Sequence, residues 1–182
     1  MSEQDRKPLV ADALGMAVLT VSDTRSLETD RSGALLAERL QAAGHRLLVR
    51  ELVRDDRYRL RALVAAWIAD PQIEVVLITG GTGLAARDIT PEAVRPLLDK
   101  QIEGFGELFR SLSYEEVGVA TLQSRALAGL ANHTLVCCLP GSPGACRLAW
   151  ERILEPQLDS RYRPCNFVQA IRARGSPSPV SE

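Results

Sequence analysis

Apolar positions along the chain follow two alternating rhythms. Runs at 15–21 (GMAVLTV), 45–53 (HRLLVRELV) and 74–79 (EVVLIT) have strand length, while 31–44 and 57–69 between them carry helical patterns. That order, strand–helix–strand–helix–strand, predicts right-handed crossovers and a parallel, mostly covered sheet. Within 57–69, Leu60, Leu63, Val64 and Trp67 share one face, and Trp67 and the later Trp150 recur with other apolar residues at helical spacing, which reads as core. Gly44 suits the position just past the first helix.

The second half is more broken. Segments 91–99 and 103–112 are helical in composition, but Pro96 would clash with the carbonyl four residues earlier, so a break or kink is expected there. Glu103 and Glu107 lie one helical turn apart beside Phe105 and Phe109, a pattern read as a solvated face next to core. Segments 124–130 and 133–139 flank Ala131-Asn132, a turn-like break that predicts an antiparallel hairpin added to the parallel sheet. A helix from about 143 to 155 follows; beyond Pro156 the chain reads as extended, and its last residues, GSPSPVSE, have the composition of a disordered tail. The domain organisation expected is a flexible segment at 1–13, one domain at 14–160, and an extended segment with tail at 161–182.

Composition narrows the function classes. At 182 residues with 46% hydrophobic content, the chain is long enough to bury one ordinary core. Basic and acidic residues nearly cancel, 22 against 23, which argues against a nucleic-acid-binding face. Lys7 and Lys100 are the only lysines and no GxxxxGK[ST] occurs, so a lysine-dependent P-loop is excluded. The first residues lack an apolar signal region and no apolar run approaches bilayer length, so a soluble cytoplasmic protein without membrane contact is expected. Cys137 and Cys138 are neighbours that would face opposite ways on a strand and read as buried small hydrophobes; His45 and His133 lack metal-ligand spacing and read as strand-edge or loop residues.

Three strands are followed at once by polar or glycine-rich turns: SDTR (22–25), TGGTG (79–83) and PGSP (140–143). In an open parallel sheet these turns gather at the carboxyl edge, where ligands bind. In PGSP, Ser142 suits an N-cap and Pro143 the first helical position; Thr90-Pro91 repeats that device, so two helix starts are expected to face one crevice. Three glycines within four positions of TGGTG point to close approach of backbone to a ligand. Asp88, five residues after Gly83, would repel a bare phosphate, which suggests phosphate bridged by Mg2+. Gly81, Gly83 and Ala86 also fit GxGxxA, but Pro91 and Pro96 break the helix a dinucleotide fingerprint needs and Asp99 falls in a helical segment, so that reading is rejected.

TGGTG followed by DITPEA, GFGE at 104–107, SRA at 124–126 and LPGSP at 139–143 together resemble the molybdenum cofactor biosynthesis family, the molybdopterin-binding fold of molybdopterin adenylyltransferases and of biosynthesis protein B. The likeness covers roughly residues 14 to 160. It implies an α/β three-layer sandwich, a homotrimer or a pair of trimers, contact with other enzymes of the pathway, and a site for the pterin dithiolene and MgATP. By that resemblance Asp88 is the catalytic and metal-handling carboxylate and Asp55 the second acid, with Asp56 beside it as a possible substitute. Gly80, Gly81, Thr82 and Gly83 match the pterin and phosphate loop, Pro140, Gly141 and Ser142 the second ligand loop, and Ser22 and Asp23 the first; Thr90 joins the ligand-binding set. Many relatives carry lysine shortly after PGSP, whereas Gly144 and Ala145 follow here, leaving Arg147 or Arg87 to meet a phosphate. The activity implied is adenylylation of molybdopterin; the alternative is a non-catalytic pterin-binding or scaffold relative.

Overall fold

The computed structural model describes residues 12–173. In chain order its first half comprises β1 (Gly15–Val21), α1 (Arg31–Ala42), β2 (Arg46–Val53), α2 (Arg57–Ala69) and β3 (Val75–Thr79). The second half comprises α3 (Thr90–Val94), β4 (Lys100–Ile102), α4 (Glu103–Val117), β5 (Leu127–Ala131), β6 (Thr134–Leu139), α5 (Pro143–Ala149), α6 (Glu155–Gln157) and α7 (Phe167–Arg172). One six-stranded sheet runs β2-β1-β3-β6-β5-β4. β1 pairs in parallel with β2 and β3, and β3 with β6; β5 runs antiparallel to both β6 and β4.

The alternation expected of strands splits the core into two layers. On one face Met16 and Val18 of β1 pack with Leu36 and Leu40 of α1, Phe105 and Phe109 of α4, and Trp150. On the other, Ala17 and Leu19 pack with Leu60, Val64 and Trp67 of α2 and with Ala93 and Val94 of α3. Adjacent residues of β6 go to opposite layers, Cys137 to the first and Cys138 to the second, and both are fully buried.

Several elements differ from the sequence reading. The hairpin turn is Asn132-His133, one residue later than expected, with both residues at positive φ (47° and 64°), the conformation that lets a two-residue loop follow the twist of its strands. Segment 91–99 is not one helix: α3 gives way at Arg95 to a tight turn through Pro96, and Asp99 then bonds Leu130 O at 2.9 Å, leading into β4, a three-residue edge strand too short to leave a periodic signal. Helix α4 continues five residues beyond Leu112 and a tight turn extends to Gln123.

The helix begun at Pro143 widens into a π-turn over Trp150–Leu154 before α6. Pro156 has no N–H to offer the Arg152 carbonyl, and the wider turn lets Glu155 N reach Trp150 O instead. The chain past Pro156, expected to be extended, carries helix α7: Asn166 caps it by accepting from Gln169 N at 3.3 Å, and burial of Val168 and Ile171 on the first layer holds it. His45 is in the loop just ahead of β2, one of the two places expected, and is 4% exposed there, accepting from Leu14 N at 3.2 Å and meeting Trp150 edge-on. The expected flexible start, up to residue 11, and the tail from residue 174 lie outside the described residues. Among the described residues no helix is long and apolar enough to cross a membrane.

Candidate functional site

Parallel strands β1, β3 and β6 all end at one edge of the sheet, so the turns that follow them must meet there. They border a single cleft of about 540 Å³, within the usual span for small-molecule sites. Ser22 and Asp23 line it from the first turn; Gly80, Gly81, Thr82, Gly83 and Asp88 from the second; Pro140, Gly141 and Ser142 from the third; and Asp55 from the loop after β2. Asp88 and Gly141 therefore stand on the same cavity.

The second turn is held from below by backbone and hydroxyl bonds. Gly80 N donates to Leu139 O at 3.0 Å, tying the end of β3 to the end of β6. Gly81 has φ +63°, a left-handed conformation costly for side-chain-bearing residues, and a Cβ there would lie 2.4 Å from Thr90 Oγ1 and 3.0 Å from Asp55 Oδ1. At Gly83 the limit is contact alone, since a Cβ would sit 2.7 Å from Asp88 Oδ2. Both acids thus abut the glycines, one at each end.

The third turn is anchored in the same manner. Thr79 Oγ1 donates to Pro140 O at 2.9 Å and Ser32 Oγ to Gly141 O at 2.9 Å. Ser142 Oγ accepts from Ala145 N at 3.2 Å and caps α5, as its position after β6 predicts. Cys146 lies beneath, its thiol 3.2 Å from Thr79 Oγ1 and pushed up to about 11 by burial, which keeps it protonated and inert.

Thr90 does not line the cleft. It is fully buried, donates through Oγ1 to Gly80 O at 2.7 Å and through N–H to Gly81 O at 3.0 Å. The cap-then-proline expectation therefore fails there: α3 has no side-chain cap, Thr90 is its first residue, and its hydroxyl serves the glycine turn, so Pro91 does not border the cleft. Asp55 and Asp56 separate cleanly. Asp56 Oδ1 accepts from Tyr58 N and Arg59 N, both at 3.0 Å, and caps α2, whereas Asp55 faces the cleft.

Charge is unevenly spread over the rim. Burial pushes the Asp55 carboxyl up, the charges of Asp23 and Asp88 add to this, and Arg87 opposes it. Asp23 accepts from Asp55 N at 3.2 Å and faces Arg87 across the mouth at 3.5 Å. Arg25 and Arg87 line the cleft and Arg147 does not. Among the described residues no group of three metal-ligating side chains exists. A Mg2+ ion here would take Asp55 and Asp88 with the balance of its ligands from water or phosphate oxygens, a donor set Mg2+ commonly uses. Burial is the main cause of the rise at Asp55, and the repulsion from Asp23 and Asp88 that adds to it is what such an ion would relieve, so the residues fit it. The lining contributed by α4 and the turn after it is mixed, with apolar Phe109, Val117 and Ala120 beside polar Ser113, Glu116 and Gln123.

Two parts of this arrangement lie outside the site residues expected from the sequence. Asp30, 2% exposed, borders the cleft and caps α1. Burial alone would raise its carboxyl, but bonds from Gly33 N, Arg50 and Thr20 outweigh that and hold it below the ordinary aspartate range. Arg125, at the approach to β5, bonds three carbonyls of the glycine turn from behind: its N–H meets Thr82 O at 3.3 Å, Nε meets Gly83 O at 2.9 Å and Nη2 meets Asp88 O at 2.7 Å. It belongs to the SRA motif, yet only the fold brings that motif to the loop.

Comparisons with known proteins identify the family. A family model described as a probable molybdopterin binding domain matches residues 17–160. Molybdenum cofactor biosynthesis protein B of Escherichia coli (strain K12) is 57% identical over 152 residues, covering 84% of this chain and 89% of that protein. The protein of the same name from Bacillus subtilis (strain 168) is 46% identical over 159 residues, covering 87% and 94%. Among solved structures, a molybdenum cofactor biosynthesis protein B superposes with a TM-score of 0.78 at 45% identity over 81% of this chain and 92% of that one. The tungsten cofactor synthesizing protein MoaB from Pyrococcus furiosus gives a TM-score of 0.68 at 39% identity over 78% and 91%.

Proposed function

The chain belongs to the probable molybdopterin binding domain family, and from that membership we propose that it works in molybdenum cofactor biosynthesis by adenylylating molybdopterin, with MgATP as co-substrate and pyrophosphate as product. The observation that carries this reading is the meeting of Asp55 and Asp88 on the glycine turn inside one cleft.

A phosphate monoester has a second pKa near 6, so the terminal phosphate of the pterin is largely a dianion at neutral pH and needs no histidine base. One of its oxygens attacks the α-phosphorus of ATP; the bond from that phosphorus to the bridging oxygen breaks, and pyrophosphate departs with the electron pair. What the chain supplies is positioning and charge. The glycine turn brings bare backbone against phosphate oxygens, and Arg25 and Arg87 at the mouth balance negative charge. When bound, Mg2+ neutralises phosphate oxygens, and Asp55 and Asp88 are the carboxylates that would hold it.

Assembly as a trimer or a pair of trimers fits the same reading, supported by exposed apolar side chains at Tyr114, Val117, Val119 and Leu122; light scattering on the purified chain tests it. The reaction is tested by incubating the protein with molybdopterin and MgATP and assaying adenylylated pterin. Asp88→Asn should retain pterin binding and lose most turnover. Pterin binding by the wild type with no product would leave a non-catalytic carrier or scaffold in the same pathway as the better reading.

A further inference from the structure

We propose that Arg125 is a positioning residue that aims the backbone amides of Gly83 and Leu84 at a phosphate group in the cleft; this rests on the reading above that the cleft takes a phosphorylated ligand. A trans peptide points its C=O and the following N–H in opposite directions. Thr82 O and Gly83 O both turn toward Arg125, the first to its N–H at 3.3 Å and the second to Nε at 2.9 Å. The N–H groups of the next residues, Gly83 and Leu84, therefore turn away from Arg125, on the loop whose Thr82 and Gly83 line the cleft. Arg125 itself lies outside that cleft, behind the loop.

Neither amide donates to another group among the described residues, whereas Ala85 N, next along, is satisfied by Asp88 Oδ2 at 2.9 Å. Two adjacent unpaired donors on a turn form a concavity that accepts an anionic oxygen. The same guanidinium fixes the residue bearing the acid, since Nη2 bonds Asp88 O at 2.7 Å. Its remaining nitrogen, Nη1, pairs with Glu92, which keeps the fork from swinging away. The bond to Thr82 O comes from the main-chain N–H, but only arginine offers Nε, Nη1 and Nη2 in one rigid plane. Lysine keeps the charge but loses the fork.

The test is titration of the 15N-labelled full chain with inorganic pyrophosphate, following the Gly83 and Leu84 amide signals, in wild type and in Arg125→Lys. Saturable shifts at both amides are expected in wild type, and about tenfold weaker affinity in the variant, the size of one charge-assisted hydrogen bond lost. In turnover assays the variant should raise KM for the pterin more than it lowers kcat. A purely structural role would instead reduce the active fraction and leave KM alone. Equal affinity in the variant, or wild-type amides that do not move, would overturn the proposal, and the second result does so even if the variant fails to fold. If the shifts and their dependence on Arg125 are found but no adenylylated product forms, the reaction proposed above fails while the positioning role stands.

Discussion

Replacing Thr90 with valine separates anchoring of the glycine turn from direct contact with a ligand. Valine has nearly the shape of threonine, so the fully buried site stays filled. What disappears is the 2.7 Å bond from Oγ1 to the Gly80 carbonyl, which is itself buried and bonded to no other group among the described residues. Removing one partner of a buried bond costs about 1–3 kcal/mol. In a domain of this size each kcal/mol lowers the melting midpoint by about 2–4 °C, so a fall of about 2–12 °C is expected. Urea denaturation at fixed protein concentration should show the same loss in midpoint with an unchanged slope. Amide exchange at Thr90, whose N–H bonds Gly81 O at 3.0 Å, should quicken as the turn loosens. Thr90→Ser is the control, keeping the hydroxyl and losing about 1 kcal/mol of methyl burial without faster exchange. A Thr90→Val protein with wild-type stability and exchange but no affinity for phosphorylated ligand would place the hydroxyl on the ligand and refute the anchoring role.

Three further outcomes are expected. In the GFGE segment, Gly104→Ala should stabilise α4 by about 0.5–1 kcal/mol, because a Cβ there meets nothing within 4 Å, while Gly106→Ala should destabilise, its Cβ falling 2.6 Å from Ala126 O; opposite signs in thermal melts are the check. Asp56→Ala should cost about 0.5–2 kcal/mol of stability through loss of the α2 cap and leave ligand affinity intact, while Asp55→Asn should weaken Mg2+-dependent binding with little effect on folding; calorimetry that found the reverse pattern would exchange their roles. Burial lowers the pKa of His45, against weaker opposing pulls from Asp159, Glu74 and Glu155, so the unfolded chain takes up its proton first. Stability from this site is complete above about pH 6.5 and declines as pH falls below it toward the folded value. Denaturation midpoints at pH 7.5 and 5.5 should differ more in wild type than in His45→Gln, and equal differences would remove His45 as the cause.

The parts of the fold legible in the sequence are those that long apolar periods specify. β1, β3, β6 and helices α1 and α2 all fall where the runs placed them, because each buries enough surface for its rhythm to dominate. What escaped are short elements governed by one or two bonds. β4 has three residues, and α7 depends on the Asn166 cap and two buried side chains. At the cleft the turns after parallel strands were readable, since chain direction alone sends them to one edge. The supports beneath them were not. Asp30, Ser32 and Arg125 act across separations of up to 109 residues, and nothing local distinguishes Ser32 as the donor to Gly141 O. Thr90 shows the converse: its place before proline suggested a cap, but the buried Gly80 carbonyl claims its hydroxyl.

The paired thiols at the middle of β6 give the molecule two internal reporters one residue apart. Cys137 and Cys138 belong to different apolar layers, and burial pushes both far above the ordinary thiol range, so neither reacts while its own side of the sheet stays closed. Pulsed alkylation followed by mass mapping would thus read out which blanket of helices lifts first during unfolding. Equal labelling would mean the two sides part together; an imbalance would name the weaker one.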